Sequence, residues 1–263
     1  MMRVAYDVLD PTGNITILVR TPVPEEKQPA IASHLMELEP AAEQVGFLSQ
    51  ADGCDISLRM AGGEFCGNAS MCASVIAAAE KGQTSFSAGL QVSGVSGIVC
   101  AEVSRLPDGI WTGIVDMPRP VAIEEVNLPG TGPLPVVCFE GISHVILEQS
   151  LPKERAEELA PIWCRELKAD ALGLMFLSQD KEKSASLKPL VYVPAAGTLF
   201  WESSCASGTT AVCAWMTAKE QKPCSIRLKQ PGGKLGAQSD AGGRIRLTGT
   251  IRLCKQASAE IYL

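Results

Sequence analysis

The stretch CGNASMCASVIAAA, residues 66–79, decides the fold, because a second stretch of the same design, CASGTTAVCAWMTA, occupies residues 205–218. Each stretch begins with a cysteine, continues through small polar residues and becomes a run of small apolar residues. A helix that is small and apolar nearly all round is buried, and here each helix is expected to be wrapped by a sheet. Cys66 and Cys205 lie about half a chain length apart, which predicts two related lobes.

The surrounding sequence predicts a mixed α+β fold. Polar and apolar residues alternate with the period of a strand at residues 14–20, 55–60, 97–104, 186–193 and 243–248. Helical spacing occurs at residues 28–39, 68–81, 153–168 and 207–219, and Gly82 stands where a helix C-cap is expected. We therefore predict two pseudo-symmetric lobes, each a curled mixed β-sheet or barrel around a central helix.

The stretch VNLPGTGPLP, residues 126–135, is rich in proline and glycine and lies near the middle of the chain. Such a stretch is typical of a connection between domains. We place an N-terminal lobe at residues 1–125 and a C-terminal lobe at 126–255, with the active site in the cleft between them.

Composition limits the classes of partner. The chain is 46% hydrophobic and 20% charged, with a net charge of −6, so it is typical of a soluble enzyme and carries no clear basic patch for nucleic acid. No apolar run reaches the roughly 18–20 residues that cross a bilayer. We predict a cytoplasmic protein that binds neither nucleic acid nor membrane.

Ten cysteines spread over 263 residues, with no recognisable signal peptide, favour reduced thiols over a disulfide framework. None forms a CxxC pair and the chain has only two histidines, so we predict no metal site. A dinucleotide fingerprint, a P-loop and a pyridoxal-phosphate lysine are also missing from the sequence, so we predict no cofactor.

Cys66 and Cys205 are candidate catalytic residues because each stands at or just before a first helical turn. The amides and the dipole there are expected to lower a thiol pKa from about 8.5 and to bind a substrate carboxylate. Inverting a stereocentre without a cofactor needs a base on one face of the carbon and an acid on the other. Two equivalent thiols meet that need. The remaining cysteines are interpreted as structural: 54, 72, 100, 138, 164, 213, 224 and 254.

Four segments carry a resemblance to a known family: TGN at 12–14, GEFCGNA at 63–69, GISH at 141–144 and SCASGT at 204–209. In these the chain resembles the diaminopimelate epimerase-like superfamily, which includes proline racemases. The resemblance implies two catalytic cysteines and a last strand, residues 256–263, that returns to the first lobe. It also implies a set of residues around the substrate: Asn14, Gly67, Asn68, Ala206 and Ser207.

The departures from that family narrow the substrate. Ala196 and Gly197 stand where diaminopimelate epimerases have the Glu-Arg pair that holds the distal end of their substrate. Ile142, and Ala171 or a near neighbour, replace two distal asparagines. Losing a bidentate arginine disfavours a second charged head group. What remains resembles the amino-acid racemase branch, including the histidine racemases that supply D-histidine for opine metallophores.

Three further residues could contact the substrate. Glu64 and Glu202 lie near the two cysteines and could hold an ammonium or an imidazole group, or could be solvated charges at a helix start. His144 could line the cleft or could be a core histidine with backbone partners.

Three functions stay open on the sequence alone. The first is a cofactor-independent amino-acid racemase that uses two thiols. The second is a diaminopimelate epimerase or another proton-transfer isomerase of the superfamily, although the two intact cysteines count against the latter. The third is a non-catalytic amino-acid-binding protein. The expected partner is a small-molecule amino acid, whereas another isomerase of the superfamily would act on a substrate that is not an amino acid. Exposed strands make a homodimer plausible.

Overall fold

The computed structural model describes residues 1–179 and 185–262. Its α-helices are α1 (Gln28–Leu38), α2 (Gly67–Glu80), α3 (Lys153–Glu166) and α4 (Ala206–Glu220). The four predicted helices are confirmed, each to within two residues at either end. Gly82 follows α2 with a φ of 65°, a left-handed conformation that glycine adopts without strain at a helix end.

Sixteen strands account for most of the remaining described residues. Those of the first half are β1 (Met2–Pro11), β2 (Thr16–Val19), β3 (Gln44–Ser49), β4 (Ile56–Met60), β5 (Ser85–Val92), β6 (Ile98–Arg105), β7 (Trp111–Met117) and β8 (Ala122–Asn127). The others are β9 (Pro133–Phe139), β10 (Ile142–Leu147), β11 (Leu172–Gln179), β12 (Ala185–Val193), β13 (Thr198–Trp201), β14 (Ser225–Gln230), β15 (Gly233–Ser239) and β16 (Ile245–Ile261). The predicted α+β fold class is confirmed.

The chain divides into two compact units. Unit 1 comprises Met1–Asp116 and the chain from Thr248 onward, and unit 2 comprises Met117–Leu247. The stretch 126–135, where the sequence placed the boundary, instead contains the turn of the antiparallel β8–β9 hairpin inside unit 2. Proline and glycine mark tight turns as well as linkers, and composition does not separate the two.

Unit 1 is a closed barrel of eight strands in the order β1-β2-β3-β4-β5-β6-β7-β16, with β16 pairing back to β1. The β1–β16 pairing runs from Pro11 opposite Ile251 to Met2 opposite Ile261. Inside the barrel lies α2, whose first twelve residues are all buried. Most side chains of α2 are small, alanines and serines above all, which helps the helix to fit inside the barrel. Outside it, α1 packs on β3.

Unit 2 repeats this plan. Its strands follow the order β8-β9-β10-β11-β12-β14-β15 and continue to the start of β16, with β13 added beside β12. Each unit has parallel pairs that span a helix, β2–β3 and β4–β5 in unit 1 and β10–β11 and β12–β14 in unit 2. Helix α4 packs inside the curled sheet, and α3 packs outside on β11 and β12. The two helices that begin at cysteines therefore hold equivalent places.

Within residues 1–179 and 185–262, no helix has both the length and the apolar character needed to cross a membrane.

Candidate active site

Cys66 is the N-cap of α2. Its backbone is extended, with φ −132° and ψ 112°, and its Sγ accepts a hydrogen bond from the amide of Ala69 at 3.4 Å. A serine or threonine oxygen usually fills this role, satisfying one of the amides that the first helical turn leaves without an acceptor. The sulfur therefore stands at the positive end of the helix, as the sequence predicted.

Cys205 has the same place on α4. Its backbone is extended, with φ −118° and ψ 110°, and its Sγ accepts from the amide of Gly208 at 3.3 Å. A side chain at Gly208 would collide with Met175 and would put its Cβ 3.2 Å from the Cys205 sulfur. A glycine is therefore required where the helix passes the thiol.

A second hydrogen bond, from a hydroxyl in the first turns of the helix to the cysteine carbonyl, is present in both units. The hydroxyl of Ser70 donates to the Cys66 carbonyl at 2.8 Å, and the hydroxyl of Thr209 donates to the Cys205 carbonyl at 2.7 Å. Each hydroxyl holds the backbone of the cysteine four residues earlier. The two thiol sites are thus alike in conformation, in the amide that the sulfur accepts from and in the hydroxyl beneath them.

A polar chain in unit 1 surrounds Cys66. The thiol donates to the Gln44 Oε1 at 3.1 Å, and the Gln44 Nε2 donates at 2.7 Å to both the Asn14 Oδ1 and the Thr16 Oγ1. Asn68 also donates to the Asn14 Oδ1, at 3.1 Å. The predicted residues Asn14 and Asn68 therefore lie with Cys66, and Gln44 joins them.

Gln44 was not found from the sequence. It starts β3 directly after another polar residue, a pattern that does not distinguish a site residue from the end of a loop. Because both acceptors of its amide nitrogen are fixed, its carbonyl oxygen is the group presented to Cys66. A carbonyl oxygen only accepts, so it takes the hydrogen bond that the Cys66 thiol donates.

Cys205 lies in a different electrostatic setting. It is 5% exposed, and burial raises the pKa of its thiol well above the ordinary value, with the carboxylate of Glu202 raising it further. The Ser207 hydroxyl, 3.5 Å from the sulfur, and the Gly208 amide lower it. The prediction that the thiol pKa lies below its ordinary value is wrong for Cys205, because burial outweighs the lowering by the amide at the helix start.

A closed ring of hydrogen bonds fixes the Cys205 backbone. The Cys205 amide donates to the Gln230 Oε1, and the Gln230 Nε2 donates to the Thr209 Oγ1, both at 2.8 Å. Gln230 lies on β14 and is 3% exposed, so it ties the start of α4 to the sheet. No local signal in the sequence marked it.

His144 is fully buried in unit 2. Its ring packs edge-on against Phe139 with centroids 5.9 Å apart, and a Cβ at Gly173 would collide with it. Neither ring nitrogen has a hydrogen-bond partner among residues 1–179 and 185–262. Burial lowers the pKa of His144 to about 3, so the imidazole is neutral. A contact between His144 and substrate stays a prediction.

The other predicted site residues differ in exposure. Gly67 and Ala206 are buried in the first turns of α2 and α4, beside their cysteines. Glu202 is half-buried within reach of Cys205. Glu64 is exposed, and its carboxylate folds back over Gly62. A contact between Glu64 and substrate therefore stays a prediction.

Two cavities in unit 2, of about 660 and 750 Å³, lie elsewhere. Both reach Trp215 and Lys219 in the last turns of α4, and neither is lined by a predicted site residue. The thiol chemistry lies at the opposite end of that helix. The helix starts define the candidate site better than these openings do.

Comparisons with known proteins identify the family of the chain. The family profile described as "Histidine racemase CntK N-terminal domain" matches residues 3–258. The chain belongs to this histidine racemase family. A protein named histidine racemase from Fusobacterium nucleatum subsp. nucleatum is 34% identical over 240 residues, covering 86% of this chain and 85% of the relative. Another of that name, from Staphylococcus aureus, is 28% identical over 274 residues, covering 94% and 96%.

Solved structures share the fold of this histidine racemase family member. A phenazine biosynthesis protein of the PhzF family from Bacillus anthracis has a TM-score of 0.71 at 16% identity, covering 99% of this chain and 100% of that one. A hydroxyproline epimerase from Agrobacterium vitis has a TM-score of 0.71 at 14% identity, covering 98% and 91%. These structures confirm the predicted fold. The family match and the relatives named histidine racemase confirm the predicted branch and the predicted enzyme class, an isomerase.

Proposed function

We propose that this chain interconverts L- and D-histidine, with Cys66 and Cys205 acting on opposite faces of one α-carbon. The observation that carries the proposal is the pair of N-cap thiols, each accepting an amide hydrogen bond at the start of the central helix of its unit. The sequence relatives named histidine racemase support the choice of substrate. No cofactor is needed for this chemistry in the proposal.

In this proposal the substrate carboxylate binds at the helix starts. The first turn of a helix carries amides without intrahelical acceptors, and such amides bind anions. Ala69 and Gly208 direct theirs at the sulfurs. We assign the carboxylate to the preceding amides, at Gly67 and Asn68 in α2 and at Ala206 and Ser207 in α4. Charge that develops as the α-proton leaves is stabilised there.

The protons move between the two sulfurs and the substrate. A thiolate on one face removes the α-proton, the thiol on the other face delivers its own proton, and the reverse reaction exchanges the roles. Glu202 keeps a proton on Cys205 because its negative charge opposes a thiolate beside it. We therefore assign Cys205 as the proton donor at the start of a turnover that begins with Cys66 as the base.

The decisive assay uses L-histidine in deuterated water without any added cofactor. We expect deuterium at the α-carbon of the product together with D-histidine, approaching equal amounts of the two enantiomers. A parallel screen of the other common L-amino acids measures the preference for histidine. If no amino acid exchanged its α-proton, the racemase assignment would be wrong. Exchange with another amino acid but not with histidine would contradict the assignment of histidine as substrate. It would leave the two-thiol mechanism standing.

Replacing Glu202 by glutamine tests the charge beside Cys205. Removal of the carboxylate should lower the pKa of Cys205, so its alkylation by iodoacetamide should begin at a pH lower by about one unit or more. The rate is followed on the Cys205 peptide by mass spectrometry across a pH series. The matched control is Glu64→Gln, an exposed glutamate near the other cysteine, which should leave the Cys205 profile where it is. Equal profiles for wild type and Glu202→Gln would refute the assigned role.

We also propose that the enzyme is a cytoplasmic homodimer. Strand β8 is the last strand of its sheet in unit 2, and Ile123 on it and Val121 just before it are exposed, the latter by 73%. An edge strand leaves backbone groups without partners and is a surface that proteins usually protect or cover. Light scattering of the purified chain after size exclusion should give twice the monomer mass, and a monomer at all concentrations would contradict the dimer.

A further inference from the structure

Cys213 and Cys224 form a pair of thiols away from the candidate active site. Cys213 lies in the middle of α4, and Cys224 lies in the segment between α4 and β14. The Cys213 Sγ is 3.9 Å from the carbonyl oxygen of Cys224. The two side chains also influence each other directly, because charge on Cys224 raises the pKa of Cys213 and a hydrogen-bonding contact with Cys213 lowers that of Cys224.

The backbone around the pair is fixed by hydroxyl groups. The Ser239 Oγ accepts from the Cys224 amide at 2.8 Å and is 2.7 Å from the Thr217 Oγ1. Thr217 donates in turn to the Cys213 carbonyl at 2.7 Å. The Ser239 amide donates to the Cys224 carbonyl at 2.9 Å. Helix α4, the Cys224 segment and β15 are thus held together, so the two thiols stay near each other in the folded chain.

The two thiols differ in access to solvent. Cys213 is fully buried, whereas Cys224 is half-buried. Helix α4 ends at Glu220, and its C-cap Gln221 has a φ of 52°. Pro223 follows, so the chain turns back at once and brings Cys224 near Cys213. The Cys224 thiol is therefore accessible to a reagent in solution, whereas the Cys213 thiol is buried next to it. This arrangement is typical of an attacking and a resolving cysteine.

We propose that Cys213 and Cys224 are a dithiol site that a low-molecular-weight disulfide oxidises to an internal disulfide. The Cys224 thiolate attacks one sulfur of the reagent, which forms a mixed disulfide and releases the first reagent thiolate. Cys213 then gives up its proton to water, attacks the Cys224 sulfur and releases the second reagent thiolate, which takes up a proton. Two protein thiols are oxidised and one reagent disulfide is reduced to two thiols. The site does not depend on the proposed racemase activity.

Both thiols are stored in the protonated form. Burial raises the pKa of Cys213 to about 11, and burial together with the charge of Glu220 raises that of Cys224, against a smaller opposing effect of Lys222. Since the thiolate is the attacking species, the exchange is slow at neutral pH. The two cysteines therefore form a disulfide only under sustained oxidising conditions. Under other conditions both thiols stay reduced.

The test uses the full, reduced chain incubated with glutathione disulfide at about pH 8.5, where more thiolate is present. Alkylation of the remaining thiols, digestion without reductant and tandem mass spectrometry follow. Fragmentation is needed because no lysine or arginine separates Cys205 from Cys213, so trypsin leaves both in one peptide. We expect Cys213 and Cys224 to be found linked, with a loss of two hydrogens, about 2 Da, from the intact chain.

Two single variants separate the steps. In Cys213→Ser the resolving thiol is missing, so glutathione should accumulate on Cys224 to at least about tenfold the wild-type level at equal times. In Cys224→Ser, at the half-buried and more tolerant position, neither the adduct nor the link should form. A wild-type chain that keeps glutathione on Cys224 while Cys213 stays open to alkylation after unfolding would overturn the proposal. So would a link that joins Cys224 or Cys213 to some other cysteine.

Discussion

Replacing Cys205 by serine is expected to lower kcat for histidine racemisation by about 10²- to 10⁴-fold, the usual contribution of a positioned acid or base. Serine keeps the N-cap hydrogen bond that Cys205 makes with Gly208, so the helix start should survive the change. Its hydroxyl is far less acidic than a thiol and cannot exchange roles between donor and base. Cys66→Ser should cause a loss of the same order, since Cys66 caps α2 in the same way. Polarimetry of L- and D-histidine solutions measures both.

The chain supplies matched controls for these variants. Cys72 lies on α2 and Cys213 on α4, each fully buried on the same helix as one of the proposed catalytic thiols. Cys72→Ser and Cys213→Ser should keep turnover near that of wild type once each variant is shown to be folded. Full racemase activity in either Cys66→Ser or Cys205→Ser would contradict the two-thiol mechanism. Exchange of the α-proton without inversion would show that one face still works.

Local patterns were enough to predict the helices but not the sheet. The ends of α2 and α4 follow from a capping residue, a run of small residues and a stop signal, all of which lie within one segment of sequence. Closure of the barrel in unit 1 depends on β1 pairing with β16, at opposite ends of the chain. Alternation identifies a strand without identifying its partner.

In the candidate site, too, local features were predictable from the sequence and long-range contacts were not. Cys66 and Cys205 could be found because helix start and thiol are adjacent in sequence. Gln44 and Gln230 were missed because each reaches its thiol site from a distant strand, across 22 and 25 residues of chain. The direction of the shift in the Cys205 pKa was predicted wrongly for a related reason. It is set by burial, which only the folded chain determines.

Acid should destabilise the folded chain through His144. Its pKa falls from 6.5 to about 3 on folding, because the fully buried imidazole cannot be charged without losing its hydration. Between those values the unfolded chain binds the proton and the folded chain does not, so stability is complete above pH 6.5 and falls as the pH drops toward 3. The slope should approach about 1.4 kcal/mol per pH unit, which amounts to several kcal/mol over the window.

Urea unfolding at a series of pH values from about 7 to 5 isolates this effect, because carboxyl groups titrate mainly below that range. His144→Leu removes the titrating group and should flatten the slope, whatever its own packing costs at neutral pH. The chain's other histidine, His34 on α1, is partly exposed and gives the matched control, since His34→Gln should retain the wild-type slope. Equal slopes in wild type and His144→Leu would mean that protonated His144 finds a partner in the fold, which would count against a dry, neutral imidazole. A slope that disappears in the His144 variant and persists in the His34 variant would establish it.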